Sequence, residues 1–504
     1  MNIILACDLG TSSCKLSAVD ISPSAGGFGV VANASRSYPT RHRPDGGAEQ
    51  DPSDWLKAFG EAVNDLGASG CLAHLRALCF TGQMSAALPV DSQGQAIHPA
   101  LIWTDQRATQ EVHQAEQAIS AERFYALTGN AINATYTAPK LAWLKAHRPE
   151  ILGATAQFLQ PKDWLIWQLT GEAAIDHSDA SCTGLYDLTA GDWSAELFDA
   201  FGLPVSIAPR LSEATTRIGS LKDRVARDLG LPAGLPVVLG GGDGPTSALG
   251  VGAGPDEAYI SIGTSAWLSF LRDQPLIDPK RRVFSFRHVL PGRYAVTGST
   301  QNAGNVLAWL NELLESSDIG LGLRTALERV APGAAGLTVL PYLHGERTPY
   351  WDSRATGAIL GLRPHHNREH LVRAFAESIC FQLKLILETF NDLGVTSSTI
   401  RVVGGLSSEP LLMHLLAQVL ETPLKRPFGH AHATAFGAAM VGALALGMSR
   451  EEMTRLASGT DHEEIAPEPL CPSLRASYGL YCSLYPVLKQ LYDCGSNQEE
   501  AGQP

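Results

Sequence analysis

Ile4-Leu5-Ala6-Cys7-Asp8-Leu9-Gly10-Thr11-Ser12-Ser13 opens the chain, and Tyr259-Ile260-Ser261-Ile262-Gly263-Thr264-Ser265-Ala266 opens its second half. Each stretch is a short apolar run, which reads as a buried strand, breaking into Gly-Thr-Ser. Glycine lets backbone approach an anion closely, and the hydroxyls and following N–H groups can donate to phosphate oxygens. One such loop is a weak signal. Two, one in each half, predict a duplicated α/β domain with a nucleotide held between the copies.

Composition agrees. At 504 residues the chain is too long for one ordinary core, so two or three domains are expected. A hydrophobic content of 45% with 18% charged residues describes a folded globular chain. The net charge of −13 argues against nucleic acid as a bulk partner, because phosphate backbones need basic surface. Small phosphates stay possible, since local donors and a metal ion outweigh the average field. The 9 cysteines are scattered, without a C-x-x-C pair, and several sit in apolar runs, so a reducing cytoplasm is expected. No basic leader and no 18-residue apolar run is present, so neither a signal peptide nor a membrane span is expected.

Outward from the first loop, residues 2–7, 15–19 and 28–34 read as three strands of a mostly antiparallel meander. Asp51-Pro52 starts a helix, with aspartate as cap and proline at the first helical position. Trp55, Leu56, Phe59, Val63 and Leu66 follow on one predicted face. Leu75–Phe80 reads as a strand ending in Thr81-Gly82-Gln83-Met84, and Leu235–Gly240 as another running into Gly241-Gly242-Asp243-Gly244-Pro245. The pattern restarts at 258–270. A long helix from about His370 to Leu393 stops at Gly394, and Ile400–Val403 is a strand that breaks at Gly404-Gly405. A helix with Pro410 in its first turn and a small-residue helix over Ala433–Leu446 complete the pattern. The domains expected are 1–245, 246–490 and a polar, frayed tail over 491–504.

Several residues carry two readings. Asp8 is either a strand-end aspartate capping its own turn or a carboxylate turned toward a Mg²⁺ ion on nucleotide phosphates. Asp243 is either a helix cap or a general base, placed to take the proton of a sugar hydroxyl that attacks ATP. Gly404-Gly405-Leu406-Ser407-Ser408 is a tight turn or a slot for a flat purine. His430 and His432 read as loop histidines, because no third metal ligand is evident. A P-loop, a dinucleotide-binding G-x-G-x-x-G after the opening strand and protein-kinase landmarks are all missing.

Together these segments resemble the FGGY carbohydrate kinases, over roughly residues 3–490. Asp8-Leu9-Gly10-Thr11-Ser12 is similar to the family's first phosphate loop, Gly263-Thr264-Ser265 to its second, and Gly404-Gly405 to its adenosine loop. Leu340–Pro349, Gly357–Leu362 and Thr137-Ala138-Pro139-Lys140-Leu141-Ala142-Trp143-Leu144 resemble further family segments. The resemblance implies duplicated ribonuclease-H-like domains of the actin/hexokinase/Hsp70-like ATPase fold flanking a deep cleft that closes on its ligands. It implies ATP and Mg²⁺ as cofactors, with Gly10, Thr11, Ser12, Lys15, Gly263, Thr264, Ser265, Gly404, Gly405 and Ser408 on ATP. Asp8 would place the metal and Asp243 would be the catalytic base.

Within the family, Glu49-Gln50-Asp51-Pro52, Gly82-Gln83-Met84, Trp103-Thr104-Asp105-Gln106-Arg107 and Pro161-Lys162-Asp163 resemble strings of the xylulokinases. That implies phosphorylation of a ketopentose such as D-xylulose, bound by Gln83, Met84, Ser85, Trp103, Asp105 and Asp243. Two departures bear on the sugar: Ser85 stands where histidine is usual and Gly244 where asparagine is usual, and Asp-Gly-Pro also resembles gluconate-kinase-like members. Gluconate, ribulose, L-xylulose and erythritol stay open as substrates. A non-kinase ATPase or a sugar-binding protein of the same fold is the remoter alternative. A homodimer is common in the family.

Overall fold

In the computed structural model, which describes residues 1–22, 28–252, 257–314, 319–427, 432–458 and 462–499, contacts divide the chain into two units. The first comprises Met1–Ala253, Leu271–Val296 and His432–Asp461; the second comprises Gly254–Phe270, Thr297–Ala431 and His462–Pro504. The division is therefore not a single cut in sequence. Leu271–Val296 belongs to the first unit because its backbone is bonded there: the Tyr125 hydroxyl donates to the Val283 carbonyl at 2.6 Å, and the Ser285 N–H donates to Gly129 O at 3.0 Å. The domain boundary expected after residue 245 lies just before residues 253–256, which are outside the described residues, as is His430.

The first unit is built on a sheet with strand order Arg217–Ser220, Pro236–Gly242, Leu75–Gly82, Ile3–Leu9, Ser13–Asp20, Gly29–Ser37. The three central strands are parallel and the next two fold back antiparallel, as the meander reading expects. Ile3–Leu9 is buried on both faces. Ile3, Leu5, Cys7 and Leu9 pack with Trp55, Phe59, Val63 and Leu66 of the Pro52–Leu66 helix. Ile4 and Ala6 turn the other way, onto Ala438, Ala439 and Met440 of the Ala433–Ala445 helix. Period-two alternation thus feeds two helical layers.

Asp51 caps the Pro52–Leu66 helix by accepting from the Ser53 N–H at 3.0 Å, with Pro52 opening the first turn. Leu56 departs from the expected stripe: it is 38% exposed, because it lies one residue off the Trp55–Phe59–Val63 face. Asp51→Ala should cost this helix about 1 kcal/mol, read as faster amide hydrogen exchange over residues 53–55.

The Ala433–Ala445 helix is small-residued because two backbones meet on it. A Cβ at Gly437 would lie 1.8 Å from Thr246 O, and one at Gly250 would lie 1.7 Å from Ala433 O. The Asp243–Val251 helix is seated by that contact, which fixes the direction in which Asp243 leaves the sheet.

In the second unit, Ala258–Ile262 pairs antiparallel with Ala266–Arg272 and parallel with Ile400–Val403, which pairs parallel with Leu424–Pro427. This repeats the arrangement around Ile3–Leu9: a strand, a Gly-Thr-Ser turn, an antiparallel return, and parallel neighbours on the other side. The Arg368–Asp392 helix buries Phe375, Ile379, Leu383 and Phe390 beside them. At the C-terminal end, the Pro472–Glu499 helix carries the chain through most of the segment expected to be a frayed tail. Tyr481 and Tyr485 tether it, the Tyr485 hydroxyl donating to Asp352 Oδ2 at 2.9 Å. Residues 500–504 lie outside the described residues.

Candidate active site

The three parallel strands of the first unit end in register. Leu9 pairs with Gly82, and Gly82 with Gly242. Asp8 is the next-to-last residue of its strand, and the segments that leave the three strands carry Gly10–Ser12, Gln83–Ser85 and Asp243. Ligands of open α/β sheets bind at this C-terminal edge. Glycine is required where the turns crowd: a Cβ at Gly82 would sit 2.7 Å from Leu9 O, and at Gly240, with φ +66°, 1.6 Å from Phe80 O.

Two carboxylates at this edge are held protonated unusually far up the pH scale. Burial pushes Asp243 up to about 7, and the negative charge of Asp8 adds to it. Burial pushes Asp8 up to about 6, partly offset by Lys15, whose Nζ stands 4.0 Å from Asp8 Oδ2. Asp243 Oδ1 accepts from the Gly244 N–H at 2.7 Å. Among the described residues, Asp8 Oδ1, Thr81 Oγ1 and Gln83 Oε1 are buried without a hydrogen-bond partner. Orphaned buried acceptors beside two raised carboxylates mark a ligand site.

The first loop is held from several sides. Its backbone closes through Gly10 N–H to Ser13 O at 3.1 Å, and the Tyr38 hydroxyl donates to Gly10 O. Gln50 donates to Thr11 O at 2.6 Å and accepts from Gln83 Nε2 at 2.8 Å. Trp103, 44% exposed, donates its indole N–H to Thr11 Oγ1 at 2.8 Å. Across the hairpin, Lys15 pairs with Asp8.

The residues expected on the sugar separate into two groups. Gln83, Met84, Ser85 and Trp103 lie around the strand ends, with Met84 packed where a Gly242 Cβ would be. Ser85, at φ +59°, donates its hydroxyl to Cys182 O at 3.1 Å. Asp105 is held by other residues. It is fully buried and already accepts from Ala48 N–H at 2.8 Å and from Arg107 at 2.7 Å. Those bonds tie the Trp103–Arg107 turn to Ala48 and leave the carboxylate acceptor capacity to spare. Sequence reasoning missed Lys140. Its buried ammonium donates to Ser85 O at 2.5 Å and Ile102 O at 2.9 Å, and burial pulls it down to about 7.

In the second unit, Gly263 N–H donates to Ser265 O at 2.9 Å, the counterpart of the Gly10 turn. Gly404, at φ +97°, stands where a Cβ would be 2.4 Å from Ile262 O, which brings the adenosine-type loop against the Gly263–Ser265 loop. Thr264, Gly405 and Ser408 are exposed. Gly304 and Asn305 also belong here and were not legible: their N–H groups donate to Gly263 O at 2.9 Å and Thr264 O at 3.1 Å, at the start of the Gly304–Leu313 helix.

Comparison with known proteins fits this geometry. The model of the FGGY N-terminal domain of carbohydrate kinases matches residues 3–250, and that of the C-terminal domain matches residues 258–446. The chain belongs to the FGGY family of carbohydrate kinases. This FGGY kinase is 30% identical over 495 residues to a xylulose kinase of Bacillus subtilis, covering 98% of this chain and 97% of that one. It is 27% identical over 457 residues to a gluconokinase of the same organism, covering 88% of each. A crystal structure described as a xyloylose kinase from Brucella ovis superposes with a TM-score of 0.90 at 30% identity, covering 97% of this chain and 100% of that one. The FGGY kinase therefore has the two-domain fold of sugar kinases and uses ATP as phosphoryl donor. No described helix is long and apolar enough to cross a membrane.

Proposed function

We propose that this FGGY kinase phosphorylates D-xylulose to D-xylulose 5-phosphate, with Asp243 as general base. The observation that carries the reading is Asp243 itself: a carboxylate raised to about 7, at the end of a central strand and beside a second raised carboxylate. A base with that affinity takes a hydroxyl proton efficiently near neutral pH. Asp243 accepts the proton of the attacking primary hydroxyl while the γ-phosphoryl passes to that oxygen in line. Gln83, Met84, Ser85 and Trp103 orient the sugar. Gly10, Thr11, Ser12 and Lys15 are proposed as phosphate contacts, and Gly263, Thr264, Ser265, Gly404, Gly405 and Ser408 as nucleotide contacts.

Asp8 fits a metal. Its buried Oδ1 lacks a donor, and a lone carboxylate with phosphate and water oxygens suits Mg²⁺. Among the described residues, no group of three or more His, Cys, Asp or Glu side chains could hold a metal ion. Asp8 would therefore hold Mg²⁺ together with the nucleotide. When bound, the ion supplies charge neutralisation on the phosphates. The reaction belongs in a reducing cytoplasm, in keeping with the free thiols of Cys7, Cys14, Cys79, Cys182 and Cys380.

A second reading is favoured by one feature. A Cβ at Gly244 would meet nothing within 4 Å, which leaves room beside Asp243 for an acceptor longer than a ketopentose. A sugar acid such as gluconate is the alternative, in line with the gluconokinase relative. Sugar-dependent ADP release over D-xylulose, D-ribulose, L-xylulose, D-gluconate, glycerol and erythritol tests both. Highest kcat/KM on D-xylulose is expected. Activity on D-gluconate alone would overturn the named sugar and keep the chemistry; silence on all six would overturn the reading.

A further inference from the structure

Beneath the strand ends of the first unit lies a cluster that the phosphoryl-transfer chemistry does not use. Lys162 is 0% exposed, and its ammonium faces three buried carboxylates: Asp163 Oδ1 at 2.6 Å, Asp176 Oδ1 at 3.1 Å and Asp179 Oδ2 at 3.2 Å. Three acids around one ammonium is an expensive arrangement, and burial with mutual repulsion holds Asp179 well above the usual carboxylate range.

Two arms leave this ammonium, one starting with the ion pair to Asp176 and the other with the hydrogen bond to Asp163. Along one, Asp176 Oδ2 accepts from the Ser178 N–H at 2.8 Å and from the Ser178 hydroxyl, and Ser178 Oγ accepts from the Gly242 N–H at 3.1 Å. Gly242 immediately precedes Asp243, and it is glycine-lined here because a Cβ at Gly241 would lie 2.7 Å from Ser178 Oγ. Along the other, Asp163 Oδ2 accepts from the Gln160 N–H at 3.3 Å, and Gln160 Oε1 accepts from the Ala86 N–H at 2.7 Å while its Nε2 donates to Ala86 O at 3.0 Å. Ala86 immediately follows Ser85.

We propose that Lys162 is a positioning residue that sets the Gly242–Asp243 turn against the Ser85–Ala86 turn from inside the first unit. The link to catalysis rests on Asp243 being the base and on Ser85 lining the sugar site. A merely space-filling role would be served as well by an apolar side chain, since well-packed replacements of buried ion clusters are often neutral. The two arms instead terminate on the backbone N–H groups of the two turns whose separation fixes the distance from hydroxyl to base. Small displacements there cost rate heavily.

Those two N–H groups also report the arms directly. In the full-length protein, amide hydrogen exchange at Gly242 and Ala86 is measured alongside kcat and sugar KM on the best sugar of the panel. Asp176→Ala, which removes the acceptor, should speed exchange at Gly242 by about tenfold, leave Ala86 protected, and lower kcat with little change in KM. Asp163→Ala should free Ala86, leave Gly242 protected, and raise sugar KM. Lys162→Met should loosen both amides together. Protection retained at both in Lys162→Met, or a single-arm variant that loosens both amides equally or neither, overturns the inference. Where Lys162→Met does not fold, the two single-arm variants decide. Exchange decides the positioning claim even if every panel sugar is refused, an outcome that instead defeats the proposed substrates.

Discussion

Asp243→Asn lowers sugar-dependent ADP release by about a thousandfold, the scale of a lost general base, while ATP binding is unchanged. The amide is nearly isosteric, and its oxygen can still accept from the Gly244 N–H, so the turn is kept and only proton acceptance is removed. In the unsubstituted enzyme, kcat/KM for the sugar rises with pH through about 7 and levels off above it, because the ionised form of Asp243 is the active one. Stability moves the other way. A carboxylate raised from an ordinary 3.8 to about 7 keeps its proton in the folded state after the unfolded chain has lost it. The folded protein therefore loses stability as pH rises between about 4 and 7, then stays level. Asp243→Asn escapes that loss, so at pH 8 it should melt no lower than the parent, with the gap closing as pH falls toward 4. Retained phosphorylation, or a parent rate flat from pH 5.5 to 8, would defeat the assignment of the base.

The parts of this protein that were legible in its sequence are those written in local pattern. Cys7–Gly10 and Ile262–Ser265 announce a strand and its phosphate-type turn within ten residues each, and the Asp51-Pro52 start of a helix is a contiguous cap. Their duplication gave the α/β class and the pairing of loops with chemistry. What stayed hidden depends on partners far along the chain. Asp105 is bonded by the Ala48 N–H from 57 positions away as well as by nearby Arg107. Lys140 reaches Ser85 and Ile102 across 55 and 38 positions, distances that no periodicity encodes. The same holds for Leu271–Val296, which follows the second phosphate-type loop in sequence yet is bonded into the first unit. The Pro472–Glu499 helix is anchored through Tyr481 and Tyr485, whose partners Gln382 and Asp352 lie 99 and 133 positions away.

Asp8→Asn should lower kcat/KM by about a hundredfold or more and, unlike Asp243→Asn, leave a measurable rate whose pH dependence has moved. Asp8 is one of the causes that hold Asp243 high, so removing its charge lets Asp243 ionise more easily. The midpoint of the kcat/KM profile then shifts below about 7. The direction distinguishes the two acids: if Asp8 were the base, its loss would remove the pH dependence instead of displacing it. The variant should also need more Mg²⁺ for half-maximal rate, since the orphaned Oδ1 is the acceptor offered to the ion. A readout that requires no turnover is available as well. Asp8 is raised to about 6 by burial, so the ligand-free parent loses stability between about pH 4 and 6, and Asp8→Asn does not. Above pH 6 the variant should melt at or above the parent, although it is the poorer enzyme. Such an exchange of stability for activity is expected where a buried charge is kept for a ligand and not for the fold. A melting temperature well below the parent at pH 8, with the rate profile unmoved, would make Asp8 a structural cap of its own turn.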